Sequence, residues 1–213
     1  LTLKWLEKAV TFELSSDRVF IDPALADALT GAVSAAQPVL SYLVNEFRVG
    51  DRTTPYSIAA ATTPEAAPFL PPNLGPRDVV LNDWLARDLA ARVGDDVRLT
   101  YFQSDATGAL VETSESFRVH SIVPLQGLAA DSAWMPNFPG MSDAKTTSDW
   151  DPGLPLKLDR IRPPDEKYWD EFRGAPKAFL PLAAGRALWS TRWGNATALR
   201  IPFERARETE LMV

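Results

Sequence analysis

Fourteen of the eighteen prolines fall in two stretches, 55–76 and 124–176, and this clustering limits where regular structure can form. Proline has no amide hydrogen to donate and its ring blocks a helix interior, so neither stretch can be one helix or the middle of a sheet. The remaining segments have to supply the core. The first stretch carries prolines at 55, 64, 68, 71, 72 and 76 and reads as an extended crossover between two lobes. The second carries eight prolines and an acidic excess, and it needs anchoring by its own side chains.

Between these stretches the periodicities are clear. Thr11–Leu14 and Val19–Ile21 read as short strands. Asp22 is an N-cap followed by proline at the first helical position, predicting a helix from Pro23 to about Ala35 with Leu25, Leu29 and Val33 on one stripe. Val39–Val44 and Ser57–Ala61 read as strands joined through a turn at Val49-Gly50-Asp51. Asp78–Leu81 is a strand, Asn82 an N-cap, and 83–93 a helix with Leu85, Leu89 and Val93 inward and Gly94 as its left-handed terminator.

Val97, Leu99 and Tyr101 alternate inward along the next strand. A turn at Asp105–Gly108 leads to Leu110-Val111 and to a strand over Ser116–Val123. A short helix is predicted from Pro164 to Arg173, closed by Gly174. Ala178–Leu180 and Ala198–Ile201 are strands on either side of a helix from Pro181 to about Trp189. The predicted class is α+β in two lobes. One, a βαβ-type lobe, is built from both chain ends (1–62 and 177–213), and a strand-rich lobe (63–176) is inserted into it, carrying the long loop 124–176.

Composition excludes much chemistry. Of 213 residues, 22 are Lys or Arg and 28 Asp or Glu, a net charge of −6, the wrong sign for a surface that displaces counterions from nucleic acid. Absence of cysteine removes disulfides, thiolate nucleophiles and Cys-based zinc sites, and the single histidine, His120, cannot write HExxH. His120 lies in an alternating strand opposite Phe117 and Val119, a common place for a half-exposed histidine. No GxSxG turn accompanies it, and neither phosphate-binding glycine pattern occurs. No catalytic, cofactor or metal residue is therefore assigned.

Asp143, Asp149, Asp151, Asp159, Asp165, Glu166, Asp170 and Glu171 crowd one third of the chain, and two of them at glycosidase spacing would hydrolyse sugars. Solvation and helix capping account for such residues as well, Asp165 and Glu166 standing at a helix start. Asp149-Trp150-Asp151 lacks the third oxygen ligand of a calcium loop. Five of the seven tryptophans lie between 134 and 193. Buried, they pin the long loop; exposed, Trp134, Trp150 and Trp169 are the contacts for a partner, lipid or sugar. The longest uncharged run, 28–45, is interrupted by polar residues and falls short of the ~20 apolar residues of a bilayer span. Leu1 in place of Met suggests a processed protein or a piece of a longer one.

Three segments stand out together. They are Asp78-Val-Val-Leu-Asn-Asp-Trp-Leu-Ala-Arg-Asp-Leu-Ala-Ala-Arg-Val-Gly-Asp-Asp-Val-Arg-Leu-Thr, Ser116-Phe-Arg-Val-His-Ser-Ile-Val, and Ala178-Phe-Leu-Pro-Leu-Ala-Ala-Gly-Arg-Ala-Leu-Trp. Their order resembles the extracytoplasmic domain of FtsX/MacB-like ABC transporter permeases, the Val93-Gly94-Asp95 unit being the most specific part. Residues 127–153 resemble a long insertion found in a bacterial subgroup of these permeases. The family usually continues past a strand such as Ala198–Ile201 with a further helix and strand, and here the chain stops at Val213.

The resemblance implies a periplasmic domain of an inner-membrane protein, set between two transmembrane helices. It implies no enzymatic activity and no cofactor. A separate cytoplasmic ABC ATPase, reached through the membrane part, would be one partner; a periplasmic or outer-membrane protein would be another, and a homodimer is compatible with it. Residues alone leave a second class standing, a free-standing secreted module that binds carbohydrate or another small ligand.

Overall fold

The structure is a computed structural model and describes residues 1–33, 35–105 and 107–203. Its strands are β1 (Thr2–Leu6), β2 (Thr11–Ser15), β3 (Gln37–Val49), β4 (Arg52–Thr62), β5 (Asp78–Asn82), β6 (Asp96–Ser104), β7 (Leu110–Val123), β8 (Ala178–Pro181) and β9 (Ala198–Pro202). The helices are α1 (Pro23–Ala32), α2 (Asp83–Leu89), α3 (Pro163–Phe172) and α4 (Leu182–Trp189). The class is α+β.

The nine strands of the described residues join in the order β1-β2-β9-β3-β4-β8-β5-β7-β6, and a further pairing of β3 with β6 closes the last six into a barrel. β3 makes both arrangements possible. Residues 37–39 pair with β9 and Val44–Arg48 with β6, so one edge of the strand serves the outer sheet first and the barrel afterwards. A bulge between Val44 and Glu46 marks the change, as expected where a strand must bend. Two of the barrel pairings, β4–β8 and β5–β7, are parallel.

Alternation along the barrel strands puts Leu40, Phe47, Ala59, Ala61, Leu81, Leu99 and Phe117 into one core with Leu85 and Leu89 of α2 and Trp189 of α4. The opposite faces of β3, β4, β5 and β8 present Leu43, Ile58, Val80 and Phe179, and the two proline-rich stretches cover them. Ala67 and Leu70 come from the first; Ala129, Trp134, Met141, Trp150 and Trp169 come from the second. The prolines of these covering segments therefore sit where chain lies on a sheet without joining it, whereas Pro38, Pro55, Pro181 and Pro202 lie inside strands.

The predicted lobe boundaries do not coincide with a break in the sheet. β3, β4 and β8, expected in the lobe of both chain ends, close one barrel with β5, β6 and β7, expected in the inserted lobe. Pro55 lies inside β4, before the part of that strand that pairs with β8 at 59–62, so the crossover proper begins after Thr62. Helix α2 ends four residues before the predicted Val93. Ala90 takes the left-handed conformation (φ 52°, ψ 32°), and Val93, expected on the apolar face, is 63% exposed. Gly94 (φ 94°) shapes the turn that follows, where its amide donates to the Val119 carbonyl (2.8 Å). Val19–Ile21 is not a strand; Ile21 packs beneath α1 and its amide donates to Ala196. β1 was not predicted, because only Leu6 of its five residues is buried. Part of the predicted C-terminal lobe, residues 204–213, lies outside the described residues.

Candidate functional site

One face of the outer sheet is covered by α1, through Ile21, Leu25, Ala26 and Leu29 against Leu14 and Leu199. The other face is met by the 124–176 segment, which sits tightly over β9 and stands away from β1 and β2. The gap is an open groove of about 920 Å³. Thr2, Lys4, Glu13 and Ser15 form its sheet side. Residues 131–137 and 142–145, with Trp169 and Arg173 from the end of α3, form the other.

Sheet register builds the charged floor. Lys4 pairs with Glu13 and Glu13 with Arg200, giving a row of alternating sign across three strands. Arg200 is 2% exposed; its Nε donates to Glu13 Oε2 at 3.0 Å, and its guanidinium lies 3.6 Å from the Trp134 ring centroid. Neither Nη1 nor Nη2 has a hydrogen-bond acceptor among the described residues. Burial pushes the Glu13 carboxyl up in spite of Arg200, and burial pulls the Arg200 guanidinium down in spite of Glu13. Both shifts disfavour charge, so removal from water outweighs the attraction of the pair.

Trp134 is fixed above this pair. Its Nε1 donates to Leu128 O (2.7 Å), and its own carbonyl accepts from Ser41 Oγ (2.6 Å). Asp131 at the groove wall turns inward, its carboxylate accepting from the Ala133 amide (3.0 Å).

A second charged cluster lies where α3 meets the barrel. Lys177, 2% exposed, has its Nζ 3.5 Å from Asp165 Oδ1, 3.9 Å from the Trp84 ring centroid and 4.5 Å from that of Tyr168. Arg162 grips Asp165 through Nε (2.7 Å) and Nη2 (3.0 Å), and Nη2 also reaches Asp88 (2.6 Å). Asp88 accepts in addition from the Thr54 hydroxyl. Tyr168 donates to the Ala175 carbonyl and accepts from Asn82 Nδ2, each at 3.0 Å. Burial, partly opposed by Asp165 and Asp88, lowers the Lys177 ammonium to about 8.

The three tryptophans expected as contacts are turned inward. Trp134, Trp150 and Trp169 are 1%, 8% and 4% exposed, and Trp150 and Trp169 meet edge to face at 4.9 Å over Leu43, Tyr56 and Ile58. They pin the loop. The correction has a simple cause: a segment without strands of its own has to bury large rings to stay in place. Trp134 and Trp169 still border the groove, but no ring face is free for stacking on a sugar.

His120 is half-buried on β7, its Nδ1 without a partner among the described residues. The acidic residues scatter. Asp143 borders the groove, Asp149 caps a single turn through Thr146, Asp165 is paired with Arg162 and Lys177, and Glu166 holds Thr147. Asp151, Asp159 and Asp170 face solvent, and Glu171 pairs with Lys167. Among the described residues no three His, Asp or Glu side chains cluster as metal ligands would, and no helix is long and apolar enough to cross a membrane.

Sequence reasoning missed Glu13, Arg200 and Lys177. The available signal was a lone charge in a buried run: Arg200 within Ala198-Leu-Arg-Ile, and Lys177 at the mouth of Ala178-Phe-Leu. Comparison with protein-family models gives no match, and comparison with curated proteins gives none.

Proposed function

We propose that this chain is the non-catalytic extracytoplasmic domain of an ABC transporter permease of the FtsX/MacB-like kind. It couples ATP hydrolysis by a cytoplasmic ABC ATPase to the handling of a substrate or partner on the periplasmic side of the inner membrane. The observation that carries the reading is the continuity of β3. The first strands, β1 and β2, and the last, β9, share the outer sheet, and the thirteen residues of β3 run without interruption from that sheet into the barrel. At ~3.3 Å per residue this is a single backbone of about 43 Å. Force applied through either chain end loads the outer sheet and passes into the barrel by covalent chain and ladder hydrogen bonds. Close-packed interiors transmit such strain instead of absorbing it.

Two working parts follow on this reading: the outer sheet with α1, and the barrel with its covering segment. The groove lies between β1–β2 and that segment, so relative movement of the two parts changes its width. An outer partner or substrate is handled there.

The test is fractionation of the full-length protein. It is expected to sediment with membranes, to need detergent for release, and to bring an ABC ATPase with it on purification. A full-length polypeptide that stays in the soluble fraction overturns the reading. The groove's volume favours a second reading, a secreted module for a small ligand, and the soluble outcome is the one that module requires. Carbohydrate is the weaker ligand class for it, because the tryptophans expected to stack on sugars are in the core.

A further inference from the structure

Helix α3 has two jobs. Asp165 and Tyr168 hold Lys177 against the barrel, while Trp169 and Arg173, one residue and five residues after Tyr168, border the groove. Whatever shifts the helix at Lys177 therefore shifts a wall of the groove. A cavity of about 20 Å³, room for one water molecule, has Asp165, Tyr168 and Lys177 in its lining together with Met141, Trp150 and Trp169, so the inner side of α3 borders a void.

The groups facing Lys177 can be named. From α2 come Asp88 and the Trp84 ring; from the start of α3 come Arg162 and Asp165, and from its middle the Tyr168 phenol. Asp83 of α2 acts on that phenol. β4 and β5 bind the Lys177 backbone, its amide donating to Ile58 O and its carbonyl accepting from the Asn82 amide. Two cations and two carboxylates balance while the ammonium is charged.

We propose that Lys177 is a proton-operated latch on α3, and through α3 on the groove: charged, it favours lifting the helix toward water; neutral, it lets the helix seat and fixes the groove wall. The sign follows from linkage. In the closed state the ammonium titrates at about 8, and once lifted into water it returns to its ordinary 10.5. The open state therefore holds the proton more tightly, and opening is easiest below pH 8 and progressively harder up to 10.5. The proposal rests on the groove as the working site and not on the transporter reading. A soluble full-length protein leaves it standing, and its own failure leaves the transporter reading untouched.

The chain has no cysteine, so one introduced thiol reports local opening cleanly. Met141→Cys places it in the buried cluster under Trp150 and Trp169, bordering the same cavity. Labelling is measured from pH 7 to 10.5 and divided by the rate of a free model thiol at each pH. Protection is expected to rise with pH, by up to ~300-fold, the factor that separates 8 from 10.5. In Met141→Cys/Lys177→Met the profile is expected to be flat; in Met141→Cys/Lys177→Arg it is expected to be flat and weakly protected, because guanidinium stays charged throughout. A merely structural lysine would move the level of these profiles without removing the slope. Persistence of the slope in Lys177→Met, or protection that falls with pH, overturns the proposal. Should these variants fail to fold, NMR titration of the Lys177 ammonium in the unaltered chain decides: a midpoint near 8 supports the latch, and one near 10.5 overturns it.

Discussion

The Glu13–Arg200 pair allows a quantitative test of the buried floor. Both groups are shifted against their charged forms, so the pair as a whole is not a source of stability, yet each ion keeps the other tolerable. Removing one partner of a buried pair costs about 3–5 kcal/mol, whereas replacing both is often neutral. Glu13→Gln strands a guanidinium that cannot lose its proton, and its loss should fall in that full range. Arg200→Met strands a carboxyl that can be neutralised, and should cost less. The Glu13 carboxyl in the folded chain already titrates above 4.5, so between those two values the folded state binds a proton that the unfolded state does not. Without Arg200 that window widens, and the deficit of Arg200→Met should shrink as pH falls from 7 toward 4.5. The double variant is expected within ~1 kcal/mol of the parent, a coupling of about 3 kcal/mol. Urea unfolding followed by tryptophan fluorescence measures all four chains. Two single variants each within 1 kcal/mol of the parent and additive in combination, or Arg200→Met costing more than Glu13→Gln at pH 7, would show that the two ions are not coupled in this way.

Two further expectations concern packing. A Cβ built on Gly185 would lie 2.1 Å from Ala61 Cβ, so Gly185→Ala should push α4 off β4 and lose about 1–2 kcal/mol in urea unfolding despite alanine's better helix propensity; the swap Ala61→Gly/Gly185→Ala should recover most of it. Trp169→Ala removes a ring buried against Trp150 and should cost about 3–5 kcal/mol, while Trp193→Ala, whose ring is exposed beside Arg192, should stay within ~0.5 kcal/mol by the same assay.

Local structure was legible where a single residue decides it. Asp22 accepts from the amides of Ala24 and Leu25, Asn82 accepts from Leu85, and both helices begin where these caps predict. Val97, Leu99 and Tyr101 alternate inward as read. Barrel closure was not legible, because it depends on the far half of β3 turning to meet β6, a pairing between residues about fifty positions apart with no local mark. The end of α2 was misread because Val93 continues the apolar spacing, while Ala90 adopts a backbone that sequence rules reserve for glycine. Trp134, Trp150 and Trp169 were read correctly as loop anchors in one of the two alternatives, and composition could not choose between them. The groove was beyond sequence altogether. It arises from how far the 124–176 segment stands off β1 and β2, a distance set by the burial of rings elsewhere in that segment.

The two buried charge clusters share a location, the boundary between the 124–176 segment and the sheets. Lys177 and Arg162 stand where α3 meets the barrel, and Arg200 stands where Trp134 meets the outer sheet. Apolar contact is strong but non-directional. A segment held by Trp134, Trp150 and Trp169 alone could settle in several registers on a face made of apolar side chains such as Val39, Leu43, Ile58, Ala60 and Val80. Arg200, buried and permanently charged, removes that freedom at the outer sheet, since an arrangement that displaces it from Glu13 leaves an uncompensated charge worth several kcal/mol. Apolar mass therefore seats the segment and charge fixes its register. The groove takes its shape from ring burial and these charges together, and a change at either cluster should be felt in the groove before it is felt in the barrel.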